Sequence, residues 1–101
     1  MASKGANALL SRASRIRAKL QALEASTLIV EDVSHQHAGH AAVKDGAEET
    51  HFNVKIVSEK FSGQSLVKRH QMVYGLLKDE LQSGLHALSI VAETPLEALE
   101  K

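Results

Sequence analysis

From Thr50 to Ser58 the chain alternates, with Phe52, Val54 and Ile56 pointing one way and Asn53 and Lys55 the other. A strand repeats every two residues, so this pattern demands a sheet with one buried face, one wet face and a second layer over the apolar row. Helices supply that layer. Leu9, Ala13, Ile16, Leu20 and Leu23 recur at spacings of four and three and predict a helix from about Leu9 to Glu24. Leu66, His70, Val73, Tyr74, Leu77 and Leu81 make a second stripe, opened by Ser65 as N-cap and closed by Ser83 and Gly84, with a bend expected near His70.

Two shorter segments complete the sheet. Thr27 to Ser34 is rich in β-branched residues, and Leu85 to Ala92 is a brief apolar run, so both read as strands, the second one buried. Thr94-Pro95-Leu96-Glu97 is a capping box with proline at the first helical position, which starts a final helix. Residues 35 to 49 lose periodicity and read as a loop. The order is helix, strand, strand, helical region, strand, helix: an α+β sandwich with a three-stranded mixed sheet and helices on one face. With 101 residues there is one core, so residues 9 to 101 are expected to form a single domain. Residues 1 to 8 are expected to be disordered or the remnant of a transit peptide. Between positions 1 and 24, five basic residues (Lys4, Arg12, Arg15, Arg17, Lys19) face the single acid Glu24, a bias shared with organelle transit peptides.

Composition then removes several function classes. Twelve basic and twelve acidic residues cancel, so no global charge draws the chain to nucleic acid or to an anionic membrane. Cysteine is absent, which excludes a disulfide framework, a thiol nucleophile and any metal site built on the chain's own thiolates. No apolar run approaches the ~20 residues that span a bilayer, and a soluble protein is expected. Catalytic motifs of the G-x-S-x-G, G-x-x-x-x-G-K or H-E-x-x-H type are missing, so the chain does not read as an enzyme.

Six histidines remain as metal-ligating candidates. His35, His37 and His40 cluster in the loop, but H-x-H-x-x-H is no closed zinc motif, and a solvated loop competes with metal binding. His86 shares the parity of Leu88 and Ile90, which predicts a partly buried imidazole at the sheet end. His70 lies on the apolar stripe and reads as structural; His51, beside Phe52, is ambiguous. Lys55, Lys60, Lys68 and Arg69 are near one another in sequence and offer phosphate contacts, but Phe52, Phe61 and Tyr74 are the only aromatics for base stacking and no GXXG clamp exists.

The string Phe61-Ser62-Gly63-Gln64-Ser65-Leu66-Val67-Lys68-Arg69-His70-Gln71-Met72-Val73-Tyr74, followed by Leu85-His86-Ala87-Leu88-Ser89-Ile90, resembles the BolA family over about residues 12 to 97. The resemblance implies an α-β-β-α-α-β-α fold related to the second type of KH fold. It also implies a partner, a monothiol glutaredoxin with a C-G-F-S active site, which shares a bridging 2Fe-2S cluster and glutathione with the BolA-like chain. In that family one cluster ligand sits in the loop between the first two strands and the other opens the last strand. Carried over, Gly39-His40-Ala41-Ala42-Val43 nominates His40, despite one extra residue before Val43, and Leu85-His86-Ala87-Leu88 nominates His86; His35 and His37 stand near His40 as substitutes. Glutaredoxin and glutathione would supply the thiolates, and replacing two thiolates on one iron by imidazoles raises the reduction potential. Lys68 and Arg69, with His70 beside them, are the expected contacts for the glutaredoxin or for glutathione carboxylates. Nucleic-acid-binding transcriptional regulation through the KH-like fold is the alternative function. The basic opening and the family match point to a chloroplast or mitochondrial protein, with a cytosolic one as the alternative.

Overall fold

The computed structural model describes residues 11–34 and 50–100. Helix α1 spans Arg12–Leu20, strand β1 Thr27–Asp32, strand β2 His51–Val57, helix α2 Leu66–Leu76, helix α3 Lys78–Gln82, strand β3 Ala87–Glu93 and helix α4 Pro95–Leu99. The sheet runs β1-β2-β3, antiparallel between β1 and β2 and parallel between β2 and β3. It is the expected three-stranded mixed sheet with its apolar row under the helices.

Alternation in β2 sets the layers. Phe52, Val54 and Ile56 are buried, while Asn53 is exposed and Lys55 half-exposed on the opposite face. Ile16 and Leu20 of α1, Leu23 just beyond it, and Val73 and Leu77 pack over that row in one cluster. Excluding these side chains from water is worth roughly 1.5–3 kcal/mol each, which makes the covered face the main source of stability. Ser11 caps α1 by accepting from the Ser14 N–H, so the helix starts at Arg12, three residues after Leu9, which lies outside the described residues together with residues 1 to 8. After Leu20 the chain tightens into a 3₁₀ turn over Gln21–Leu23.

The second helical region departs from its apolar stripe. The break falls at Leu77, between α2 and α3, and not near His70. Leu66 is 66% exposed and Tyr74 41%, whereas Arg69 (7%) and Glu80 (3%) are buried. The buried face is thus rotated by one position, and two charges occupy it. At the other end, Thr94 and Glu97 form the expected capping box, each side chain taking the other's backbone N–H. Among the described residues no helix is long and apolar enough to cross a membrane.

Candidate functional site

Parallel pairing of β2 with β3 brings the two strand starts to one end of the sheet, His51 opposite Ala87. The Thr50 carbonyl accepts from the backbone N–H of both His86 (2.7 Å) and Ala87 (3.1 Å), which fixes the main chain that carries His86. From the other side Ser34 Oγ accepts from the N–H groups of Thr50 (2.8 Å) and His51 (3.0 Å). A turn at Gly84 delivers this segment; its φ of +131° favours glycine, and an added Cβ would meet the Arg12 guanidinium at 3.0 Å.

Two imidazoles result, side by side. The ring centroids of His51 and His86 are 6.3 Å apart at an interplanar angle of 49°. His51 Nδ1 lies 2.8 Å from Thr50 Oγ1. A shallow recess of about 210 Å³ beside them is lined by Val33, Phe52, Ala87 and Leu88. His86 is exposed, not partly buried as its parity with Leu88 predicts, because it precedes the first residue of β3 and strand alternation does not govern it. His51 is half-buried. His35, His37 and His40 lie outside the described residues, so the structure places His86 without its expected companion.

The other nominated residues sit elsewhere. His70 is half-buried in a groove between α2 and β3, with Leu66, Ile90 and Val91 around it. Lys68 is exposed. Arg69, expected to offer its fork to a partner, is turned inward. It donates to both carboxylate oxygens of Glu97 (2.7 and 3.0 Å), to the Ala92 carbonyl (3.0 Å) and to the Gln64 carbonyl (2.9 Å), and its guanidinium lies 5.9 Å from the Phe61 ring centre. The Glu97 bond raises the Arg69 pKa against the opposing effect of burial. The Arg69 bonds and the Thr94 N–H hold the Glu97 carboxyl at about 2. Arg69 therefore fastens α2 to the end of β3 and to the α4 cap, and the basic patch shrinks to lysines, of which Lys60 faces Glu24 at 3.5 Å.

Sequence reasoning missed a second fastener. Glu80 accepts from Arg12 (2.7 Å), Arg15 (2.9 Å) and Lys19 (2.8 Å), three cations on one face of α1. Burial pushes its carboxyl up, and the bonds and charges of Arg15 and Lys19 more than offset this, holding it at about 2. Arg12 also donates to the carbonyls of Glu80 and Ser83, closing the C-terminus of α3. The signal was available: cations at spacings of three and four on α1 form a stripe that asks for an acid.

A sequence profile of the BolA-like protein family matches residues 20–97. The chain belongs to the BolA family. It is 60% identical over 96 residues to Protein BOLA1, chloroplastic, of Arabidopsis thaliana, covering 93% of this chain and 60% of that one. It is 64% identical over 94 residues to SufE-like protein 1, chloroplastic/mitochondrial, of the same plant, covering 89% of this chain and 25% of that one. The solved structure of BolA1 from Arabidopsis thaliana superposes with a TM-score of 0.80 at 62% identity, covering 88% of this chain and 97% of that one. The fold of this BolA-family chain is thus that of known BolA structures, and the chain spans 60% and 25% of the length of these two curated relatives.

Proposed function

We propose that this BolA-family chain is a non-enzymatic adaptor of iron–sulfur trafficking that binds a monothiol C-G-F-S glutaredoxin and shares a 2Fe-2S cluster with it. The observation that carries the reading is the exposed imidazole of His86, whose main chain is pinned by the Thr50 carbonyl at the open end of the sheet. A solvent-facing ligand on a rigid support is what a cluster held between two proteins requires. His86 and His40 are the proposed ligands on this chain, which has no cysteine, so the thiolates come from the glutaredoxin and from glutathione. A cluster bound through imidazoles on one iron has a higher reduction potential than one bound through thiolates alone. Lys68, exposed on α2, remains the proposed surface contact for the partner. The compartment proposed is the chloroplast or the mitochondrion, in keeping with the names of the two plant relatives.

The test is reconstitution of the mixed proteins with iron, sulfide and glutathione, followed by visible absorption and circular dichroism. His86→Ala is expected to change or abolish the heterodimer spectrum, and an unchanged spectrum overturns the assignment. Nucleic-acid binding is the weaker reading, since Arg69, its best phosphate fork, is occupied within the fold.

A further inference from the structure

We propose that the outer edge of β3 takes up a strand from another protein, an extended segment with apolar residues on one side and a carboxylate on the other. The inference needs neither the cluster nor the glutaredoxin, and His86 takes no part in it.

The ladder decides which groups are on offer. Within a strand the N–H and C=O of one residue point to one side and those of the next residue to the other. Ala87 donates to the Thr50 carbonyl and Glu93 accepts from the Ser58 N–H, so Ala87, Ser89, Val91 and Glu93 bond to β2. Leu88, Ile90 and Ala92 therefore face away, and the Ala92 carbonyl is taken by Arg69 at 3.0 Å. Among the described residues β3 ends the sheet, so no further strand meets the N–H and C=O groups of Leu88 and Ile90.

Such a row invites pairing unless the sequence defends it with charge or proline. β1, at the opposite edge, carries Glu31 and Asp32. β3 has no charged side chain from Ala87 to Ala92 and no proline.

Shape and charge then choose the occupant. Beside the edge runs a groove of about 640 Å³ between α2 and β3, lined by Leu66, His70, Ile90 and Val91. Leu66 and Val91 are exposed, and Arg69 and Glu97, which also border the groove, neutralise each other. A segment laid antiparallel along Leu88 and Ile90 directs alternate side chains into the groove, where apolar ones displace water. The intervening side chains join the open face of the sheet. There the position opposite Val91 lies two strand spacings, about 10 Å, from Lys55, which is in register with Val91. The ion pairs of the described residues engage Arg12, Arg15, Lys19, Lys60 and Arg69, and none engages Lys55. A carboxylate opposite Val91 supplies the missing partner. A second copy of β3 does not, because antiparallel pairing centred on Ser89 or on Ile90 brings Ala87 or Ser89 to that position.

The experiment is titration of the full-length chain with the synthetic peptide acetyl-TVEVTVS-amide, read by two-dimensional amide NMR and amide hydrogen exchange. With its glutamate opposite Val91, the peptide should protect the amides of Leu88 and Ile90, shift those of Leu66 and His70, and leave β1 unmoved. N-methylation of the central valine, which faces Ile90, should weaken binding by at least about tenfold. Lysine in place of the glutamate should weaken it by about threefold. In the Lys55→Glu variant the order of those two peptides should reverse. Amide spectra unperturbed away from the substitution establish that this variant is folded; Lys55→Gln, in which the preference should vanish, replaces it otherwise. Absence of saturable binding, protection elsewhere, tolerance of the N-methyl group, or a glutamate preference indifferent to Lys55 overturns the proposal. Concentration-dependent protection of Leu88 and Ile90 in the free chain would overturn it in favour of a second copy. Shifts of the same amides with oligothymidylate but not with the peptide would overturn it in favour of nucleic acid.

Discussion

Charged groups and imidazoles follow opposite rules in the two halves of this molecule. Around α1, α2 and α3 the charges are fastened inward: Glu80 is gripped by Arg12, Arg15 and Lys19, and Arg69 by Glu97 and two carbonyls. At the β2–β3 end stand two imidazoles, one exposed and one half-buried, on a backbone that is itself tightly bonded. A buried charge is tolerable only when its partners are in place, which makes the first region a set of structural clasps. An exposed imidazole over a rigid main chain contributes little to folding and keeps its capacity to bind. The comparison separates residues that hold the fold from residues the fold presents.

Breaking a clasp should produce the largest effect. Glu80→Ala leaves three cations facing one another in a half-buried setting, and a loss of about 3–5 kcal/mol is expected by urea denaturation. A loss below about 1 kcal/mol would mean that the clasp is no stronger than a surface ion pair. Acid should expose the same dependence more gradually. Glu80 and Glu97 are both held at about 2, below their ordinary value of 4.5, so the folded state favours their ionised forms. Their contribution is complete above about pH 4.5 and is lost as the pH falls toward about 2. The urea midpoint should decline through that window, and Glu80→Gln should flatten the decline. A parent midpoint that stays level down to about pH 2.5 would show that these carboxylates do not govern acid stability.

The smallest effect on folding belongs to the other region. His86→Ala should change stability by no more than about 0.5 kcal/mol, as surface substitutions do. A thermal melt of that variant checks the contrast directly, because a loss comparable to that of Glu80→Ala would move His86 from the presented residues to the fastening ones.

Elements whose logic is local were legible in the sequence. Phe52, Val54 and Ile56 announce a sheet with one covered face, and Thr94 and Glu97 announce the last helix, because strand alternation and capping act over a few residues. The face of α2 and α3 was misread for the converse reason. Periodicity favours Leu66 and Tyr74 as buried and cannot see that Arg69 and Glu80 find partners far along the chain, Glu80 at separations of 61 to 68 residues. Exposure of His86 turned on one position of strand boundary, a detail that apolar patterning does not resolve. The meeting of His51 with His86 is a property of sheet order; it follows only once β2 and β3 are known to lie parallel.

Parallel pairing gives that meeting an unusual tolerance. The helices and turns that intervene between the two rings can vary in length through evolution without parting them, since only the hydrogen-bond ladder decides who faces whom. Sensitivity is concentrated instead at the entry to the last strand. A single residue gained or lost beside Leu85 would send a different side chain to that corner, and a slip of one step along the ladder would reverse the outlook of every side chain in it.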